Sequence, residues 1–261
     1  MHIYNGRMTL RLRNLILIIL SFISLAVLGA AVYIGVGGYS AIDAASMQQI
    51  VPVSALLLFS TVAGIVIFLS FRNTASAEIF FFYFFIFSLL FDIFKIVVIL
   101  FPDASLPFSY GMIATRLVYF GRFAGTLALF SSGLFSSGME YQRMGIVFLF
   151  IIILSAALVW LLPVDISSTV AGGTWELGRF IELLIAVIFL EIVSVVNFTV
   201  AGRKNENPEY IIIAAALFLT VAGREILFFI PGYVSTAIGT ALIVCGSIIF
   251  GLRTHGLYLW E

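Results

Sequence analysis

The stretch that decides the fold is residues 78–101, EIFFFYFFIFSLLFDIFKIVVILF. It is 24 residues long, and only Glu78, Asp92 and Lys95 in it are charged. A helix of about 20 predominantly apolar residues crosses a bilayer core, so this stretch predicts a transmembrane helix. Its aromatic run, residues 80–85, covers every azimuth of such a helix. We expect these rings chiefly to face lipid and to fill gaps between helices.

The rest of the chain has the same character. The 261 residues are 62% hydrophobic and 10% charged, with a mean hydropathy of +1.20, whereas a typical soluble domain has about 25% charged residues. We therefore predict an all-α, polytopic integral membrane bundle of about eight transmembrane helices, forming a single unit over residues 1–261. The segments are 14–36, 51–71, 78–101, 108–136, 144–163, 174–201, 210–231 and 232–252. The short turn at Pro231-Gly232 leaves open whether residues 210–252 form two full spans or a re-entrant hairpin.

Basic residues alternate along this pattern and predict the orientation. One side of the membrane carries Arg7, Arg11, Arg13, Arg72, Arg143, Arg203, Lys204 and Arg253. The loops predicted on the other side, 37–50, 102–107, 164–173 and 231–232, contain no lysine or arginine. Short basic loops stay in the cytoplasm. We expect a cell membrane protein, in a bacterial inner membrane, with both termini cytoplasmic.

The two halves of the chain are similar in outline. Lys95 and Arg224 each stand seven residues before a proline, and they are 129 residues apart. This spacing suggests two four-helix halves, 1–130 and 131–261, arranged as parallel repeats. Residue identity between the halves is near chance, so a common hydropathy pattern is the alternative explanation.

Charged residues inside the predicted spans are the main functional signal. They are Asp92 and Lys95 in the third segment, Arg116 and Arg122 in the fourth, Glu176, Arg179, Glu182 and Glu191 in the sixth, and Arg224 and Glu225 in the seventh. An isolated charge at the bilayer centre costs roughly 2.5–3.5 kcal/mol, so these five cations and five anions must pair or line water. Most of them fall in the outer half of the membrane. They predict an outward-facing polar pocket among four helices, or else a closed ion-pair network that fixes helix packing.

Two finer expectations concern individual members of this set. Arg116, Arg179 and Glu182 have opposite signs at similar depth, so we expect them to form one network. Glu191 has no cation within one turn of its own helix. We expect it to be a carboxylate without an ionic partner, which makes it a candidate proton carrier, because burial of an unpaired carboxylate favours its protonated form.

Other motifs are sparse. Gly121 and Gly125 form a G-x-x-x-G pattern that favours close helix packing. The single cysteine, Cys245, and the two distant histidines, His2 and His255, do not predict a metal site, and no cofactor is evident. No catalytic motif is visible. The net charge of zero gives no reason to expect a nucleic-acid partner.

The leading functional interpretation is a small transporter, or a membrane-embedded binding subunit, for a polar or charged small molecule. A second class is a membrane sensor or an assembly or scaffold subunit, which would meet a protein partner through its cytoplasmic loops. A third class is an intramembrane enzyme acting on lipid. The third is the weakest, because no nucleophile–base pair is visible. The bilayer itself is the one partner that composition alone indicates.

Overall fold

The computed structural model describes residues 10–38, 44–71, 76–100, 107–170 and 173–258, without the side chains of residues 10–12, 30–38, 44–45 and 258. Within these ranges the chain forms eight long helices and one small hairpin of strands. The helices are α1 Leu10–Gly38, α2 Ala44–Phe71, α3 Ala77–Ile99, α4 Phe108–Ser136, α5 Met144–Leu161, α6 Phe180–Lys204, α7 Glu209–Phe229 and α8 Tyr233–Tyr258. The predicted all-α bundle of about eight helices is confirmed. Arg7, Arg72 and residues 102–106, on which part of the orientation argument rests, lie outside the described residues.

The helices have the dimensions of membrane spans. Helices α2 to α8 are each long and apolar enough to cross a bilayer. Helix α1 has 29 residues, which corresponds to about 43 Å. The part of α1 with described side chains, Arg13–Gly29, is a shorter apolar stretch. By length and composition the chain is therefore a multi-pass membrane protein.

Helix α3 lies in the middle of the bundle. Every residue of Ala77–Ser88 is buried, and α3 packs against α2 and α4. Phe81 stacks on Phe135 of α4, and Phe82 stacks on Phe250 of α8. The expectation that the aromatic run fills gaps between helices is confirmed, and the expectation that it faces lipid is wrong. A helix that is apolar on all sides is suited to be surrounded by other helices, and here the rings contact protein.

Helices α7 and α8 are two full spans of 21 and 25 residues joined by a tight turn. Gly232 takes φ +128° in this turn, a backbone conformation that favours glycine. The two helices pack along a seam of glycines. A Cβ atom at Gly246 would collide with the backbone of Ala216 and with Thr220. The re-entrant alternative is therefore excluded by length, and no sequence motif had pointed to this seam.

The predicted loop 164–173 is part of an antiparallel hairpin. Its strands are β1 Val164–Val170 and β2 Thr174–Leu177, and Val164 lies opposite Leu177. The sixth helix begins at Phe180 and not at residue 174, because the hairpin continues to Leu177 and turns at Gly178, where φ is +57°. We call this end of the bundle the hairpin end. The end with the α4–α5 and α6–α7 connections is called the loop end.

Candidate functional site: a buried charge cluster

Six charged side chains from four helices meet inside the bundle. They are Asp92 and Lys95 of α3, Arg122 of α4, Glu191 of α6, and Arg224 and Glu225 of α7. We call these six residues the central charge cluster. It contains three cations and three anions, and its helices are the four that the sequence predicted to share a polar pocket.

The first part of the cluster is a hydrogen-bonded triad between α4, α6 and α7. Arg224 Nη1 donates to Glu191 Oε1 and to Thr126 Oγ1, both at 3.0 Å. Thr126 Oγ1 donates to Glu191 Oε1 at 3.2 Å, and Arg224 Nη2 donates to the carbonyl oxygen of Arg122 at 2.9 Å. Glu191 and Arg224 are only 3% and 2% exposed. Each charge of this pair is therefore compensated within the protein.

The second part is the ion pair between α4 and α7. Arg122 Nη2 contacts Glu225 Oε2 at 2.6 Å. The Arg122 guanidinium also lies 4.2 Å from the ring centre of Phe228 and 4.8 Å from that of Phe229. The second atoms of the same two groups, Arg122 Nη1 and Glu225 Oε1, are buried and have no hydrogen-bond partner. A charged donor and a charged acceptor of one ion pair are thus left unsatisfied.

The third part belongs to α3. Lys95 Nζ lies 3.6 Å from Asp92 Oδ2, donates to the carbonyl oxygen of Phe228 at 3.3 Å, and sits 3.5 Å from the centre of the Phe228 ring. Residues Leu89–Phe94 form a 3-10 helix, in which side chains three residues apart are eclipsed. This geometry places Asp92 on the same side of the helix as Lys95, one turn before it. Nothing in the local sequence, which lacks proline and glycine, explains the change of helix type.

Phe228 is a member of the site that the sequence interpretation missed. Its ring contacts two cations from two helices, Lys95 of α3 and Arg122 of α4. A desolvated cation over an aromatic face gains roughly 2 kcal/mol. Phe228 stands four residues after Arg224, on the same face of α7, and this spacing is the signal that could have identified it.

Four predicted members of the site lie outside the cluster, and three of them, Glu176, Arg179 and Glu182, belong to the hairpin and the start of α6. Glu176 is in strand β2, opposite Asp165. Arg179 precedes α6, and its ion pair with Glu182 at 3.0 Å is exposed, with 83% and 64% of the two side chains accessible. The prediction that Glu176 and Arg179 belong to the same transmembrane helix as Glu191 is wrong, because the backbone is not helical before Phe180.

The expected network of Arg116 with Arg179 and Glu182 is also not formed. The Arg116 guanidinium lies over the ring of Trp160, 4.7 Å from its centre. Among the described residues no ion pair joins Arg116 to a carboxylate. Arg116 and Arg122 point to different neighbours because they are six residues apart on α4, which separates them by about 120° around the helix.

The expectation that Glu191 has no ionic partner is wrong. It considered cations on α6 alone, whereas the partner, Arg224, comes from α7. The role of Glu191 as a proton carrier stays a prediction. The hydrogen bonds that Glu191 accepts from Arg224 and Thr126 both end on Oε1, and they favour the ionised carboxylate.

The glycines of the G-x-x-x-G pattern lie against α3. A Cβ atom at Gly121 would collide with Phe91 and with the backbone oxygen of Ser88, and one at Gly125 would collide with Ser88 Oγ. The close approach of α3 and α4 brings Lys95 and Arg122 to the same ring of Phe228. Helix packing and the site are therefore linked.

The cluster does not resemble a metal centre. No group of three or more His, Cys, Asp or Glu side chains that could hold a metal ion occurs among the described residues. Comparisons with family models, with curated proteins and with solved structures gave no match.

Proposed function

We propose that this chain is a small transporter, or a membrane-embedded binding subunit, that takes a small polar molecule at the central charge cluster. The observation that carries the proposal is the pair of unsatisfied buried atoms, Arg122 Nη1 and Glu225 Oε1. A buried polar group without a partner costs about 1–3 kcal/mol, and more when it is charged. A molecule that accepts a hydrogen bond from Arg122 and donates one to Glu225 removes both costs.

The charge of the cluster restricts the class of ligand. Its three cations and three anions balance, so a ligand with a net charge would leave one charge uncompensated in a medium of low dielectric constant. A neutral or zwitterionic molecule with a donor and an acceptor close together keeps the balance. Small zwitterions such as amino acids satisfy both conditions.

The exposure of the cluster suggests where a ligand enters. The Glu225 side chain is 20% exposed, whereas the other five side chains are at most 9% exposed. The unsatisfied oxygen Oε1 is itself buried, but it belongs to this most accessible side chain. Entry past Glu225 would bring the ligand to Arg122 first, and the triad around Arg224 would remain intact.

Within this proposal the hairpin end faces the outside of the cell. The described basic residues Arg143, Arg203, Lys204 and Arg253 lie at the loop end. Arg179 is exposed at the hairpin end, so the asymmetry is less complete than the sequence indicated, but the excess still favours a cytoplasmic loop end.

Cysteine labelling tests this orientation. Thr169 of the hairpin and Asn205 of the loop end are both exposed. In a background in which Cys245 is replaced by serine, we expect Thr169→Cys to react with an impermeant thiol reagent in intact cells. Asn205→Cys should react only after permeabilisation. Labelling of Asn205→Cys from outside contradicts the orientation.

A second candidate function is favoured by the triad. Arg224, Glu191 and Thr126 satisfy one another, as expected of a network that fixes helix packing in a scaffold or sensor subunit. The two functions differ in the Arg122–Glu225 pair. A binding site uses the unsatisfied atoms of this pair, whereas a scaffold has no use for them.

Thermal unfolding in detergent with a panel of amino acids, polyols, anions and cations separates the two. A ligand that binds only the folded state stabilises it by about 2.7 kcal/mol at a hundredfold excess over Kd. We expect a neutral or zwitterionic compound to raise the melting temperature of the wild type. Glu225→Gln, and Glu225→Asp with its retracted carboxylate, should lose that increase. Glu182→Gln, which alters an exposed ion pair, should keep it.

Two outcomes of this experiment decide between the functions. If no compound stabilises the wild type, and the Glu225 variants are simply less stable, the scaffold function is favoured. If a compound binds, uptake into proteoliposomes distinguishes a transporter from a binding subunit.

A further inference from the structure

A cleft between α4 and α5 opens to the surroundings of the bundle near the hairpin end. Its volume is about 230 Å³, and its walls include Ile113, Phe120, Ala156 and Trp160. It is larger than the engineered cavity of about 150 Å³ that binds benzene in a small protein. Ile113 and Trp160 are 49% and 66% exposed. In a membrane-embedded bundle, apolar side chains this exposed on α4 and α5 face lipid, so the cleft is open to acyl chains.

One cation lies in this apolar cleft. Arg116 lines the wall, and it forms no ion pair with a carboxylate in the described part of the chain. Its Nε atom is buried and has no hydrogen-bond partner. The ring of Trp160 attracts the guanidinium but offers no acceptor for its N–H groups. An anion from outside the chain would compensate the charge of Arg116 and accept hydrogen bonds from its N–H groups.

The contact with Trp160 indicates the depth of Arg116 in the membrane. Trp160 is the residue before the end of α5, and tryptophan is enriched at the membrane–water interface. Arg116 contacts this ring, so its guanidinium is held near the interface. Arginine binds phosphate oxygens through two parallel N–H donors, a geometry that an ammonium group does not offer.

From these observations we propose that the cleft binds an anionic phospholipid, with the headgroup phosphate on Arg116 and an acyl chain between α4 and α5. A zwitterionic headgroup would bring a cation of its own beside Arg116 and would leave the local charge uncompensated. A soluble anion would leave the apolar walls at Phe120 and Ala156 unfilled. This site is separate from the central charge cluster, and the proposal does not depend on the function assigned to that cluster.

The test is native mass spectrometry of the delipidated full-length protein, titrated with phosphatidylglycerol or with phosphatidylcholine. We expect the wild type to bind phosphatidylglycerol more tightly. Arg116→Gln should weaken that binding about tenfold or more, the effect of losing one charged hydrogen bond. Ala156→Phe, which fills the cleft and keeps Arg116, should weaken it as well. Arg179→Gln, a matched change at an exposed arginine of the same end, should have no effect.

Each alternative outcome overturns the proposal. Equal affinity for the two lipids shows that the headgroup charge is not recognised. Unchanged phosphatidylglycerol binding in Arg116→Gln shows that Arg116 does not bind the phosphate. Unchanged binding in Ala156→Phe shows that the acyl chain does not lie in the cleft. If inorganic phosphate competes as well as the lipid does, the ligand is a soluble anion. The lipid comparison on the wild type and the Ala156→Phe variant decide the matter even if Arg116→Gln does not fold.

Discussion

Replacing Arg224 with glutamine is the sharpest test of the triad in the central charge cluster. The change removes the cation that lies 3.0 Å from Glu191 and leaves that carboxylate only 3% exposed. Breaking a buried ion pair in this way costs about 3–5 kcal/mol, because the remaining charge is uncompensated. The amide of glutamine is too short to replace both the contact with Thr126 and that with the carbonyl oxygen of Arg122.

The double variant isolates the pair from its surroundings. In Glu191→Gln with Arg224→Gln no charge remains unpaired, and amide groups can still bond to each other and to Thr126. We expect the double variant to be less destabilised than the sum of the two single variants, by about 0.5–3 kcal/mol. The assay is reversible unfolding in detergent micelles by a denaturing detergent, followed by tryptophan fluorescence.

A surface ion pair of similar length provides the control. Arg253 lies 3.1 Å from Glu209, with 48% and 35% of the side chains exposed, so Arg253→Gln should cost no more than about 1 kcal/mol. Two results would refute the reasoning. Strictly additive losses in the double variant would mean that Glu191 and Arg224 do not interact. A loss in Arg224→Gln as small as that in Arg253→Gln would mean that the triad is hydrated.

Two further predictions concern helix packing and the hairpin. Gly121→Ala should lower stability by about 1–3 kcal/mol, because the new methyl group meets the backbone of Ser88. Gly125→Ala should cost less, since its closest contact is the Ser88 hydroxyl, which can turn away at the loss of its hydrogen bond to the carbonyl oxygen of Phe85. Equal losses in the two variants would contradict this. In the hairpin, hydrogen bonds from the Ser167 hydroxyl and backbone N–H hold the pKa of Asp165 below its ordinary value of 3.8. Their stabilisation is present above that value and is lost as the pH falls through the lowered pKa. The Ser167 amide, measured by hydrogen exchange corrected for intrinsic rates, should lose protection there, and Asp165→Asn should show no such pH dependence.

The helical bundle could be predicted from the sequence because hydropathy is a property of whole segments. The predicted fourth segment, residues 108–136, has the observed bounds of α4. The sixth segment was wrong at its start because Thr174–Leu177 form strand β2 and the helix begins only at Phe180. The reversal at Gly178 depends on the pairing of β2 with β1, which hydropathy does not report. The same error placed Glu176 and Arg179 in a helix.

The four helices that form the site were predictable, but the partners within it were not. Depth predicted Lys95 and Arg224 in the outer half of the membrane and Arg122 near the middle. The pairing of Arg224 with Glu191, and of Arg122 with Glu225, depends on the rotation of each helix about its axis. This rotation is set by packing at sites such as the Gly121 contact with α3.

The position of α3 links the packing to the chemistry. Its first twelve residues are buried on every side, and Asp92 and Lys95 follow them directly on the same helix. A lysine carried by a central helix cannot reach water at the side of the bundle, so its charge must be met inside. The ring and the carbonyl oxygen of Phe228 stabilise the Lys95 ammonium group, and the Asp92 carboxylate, three residues earlier on the 3-10 turn, compensates its charge. The Phe228 ring also contacts Arg122, whose ion pair with Glu225 contains the two unsatisfied atoms. This ring therefore separates the Arg122–Glu225 pair from Lys95 of the central helix. A ligand that moved Arg122 would therefore change its contact with the Phe228 ring first, and through that ring the contact with Lys95 of α3.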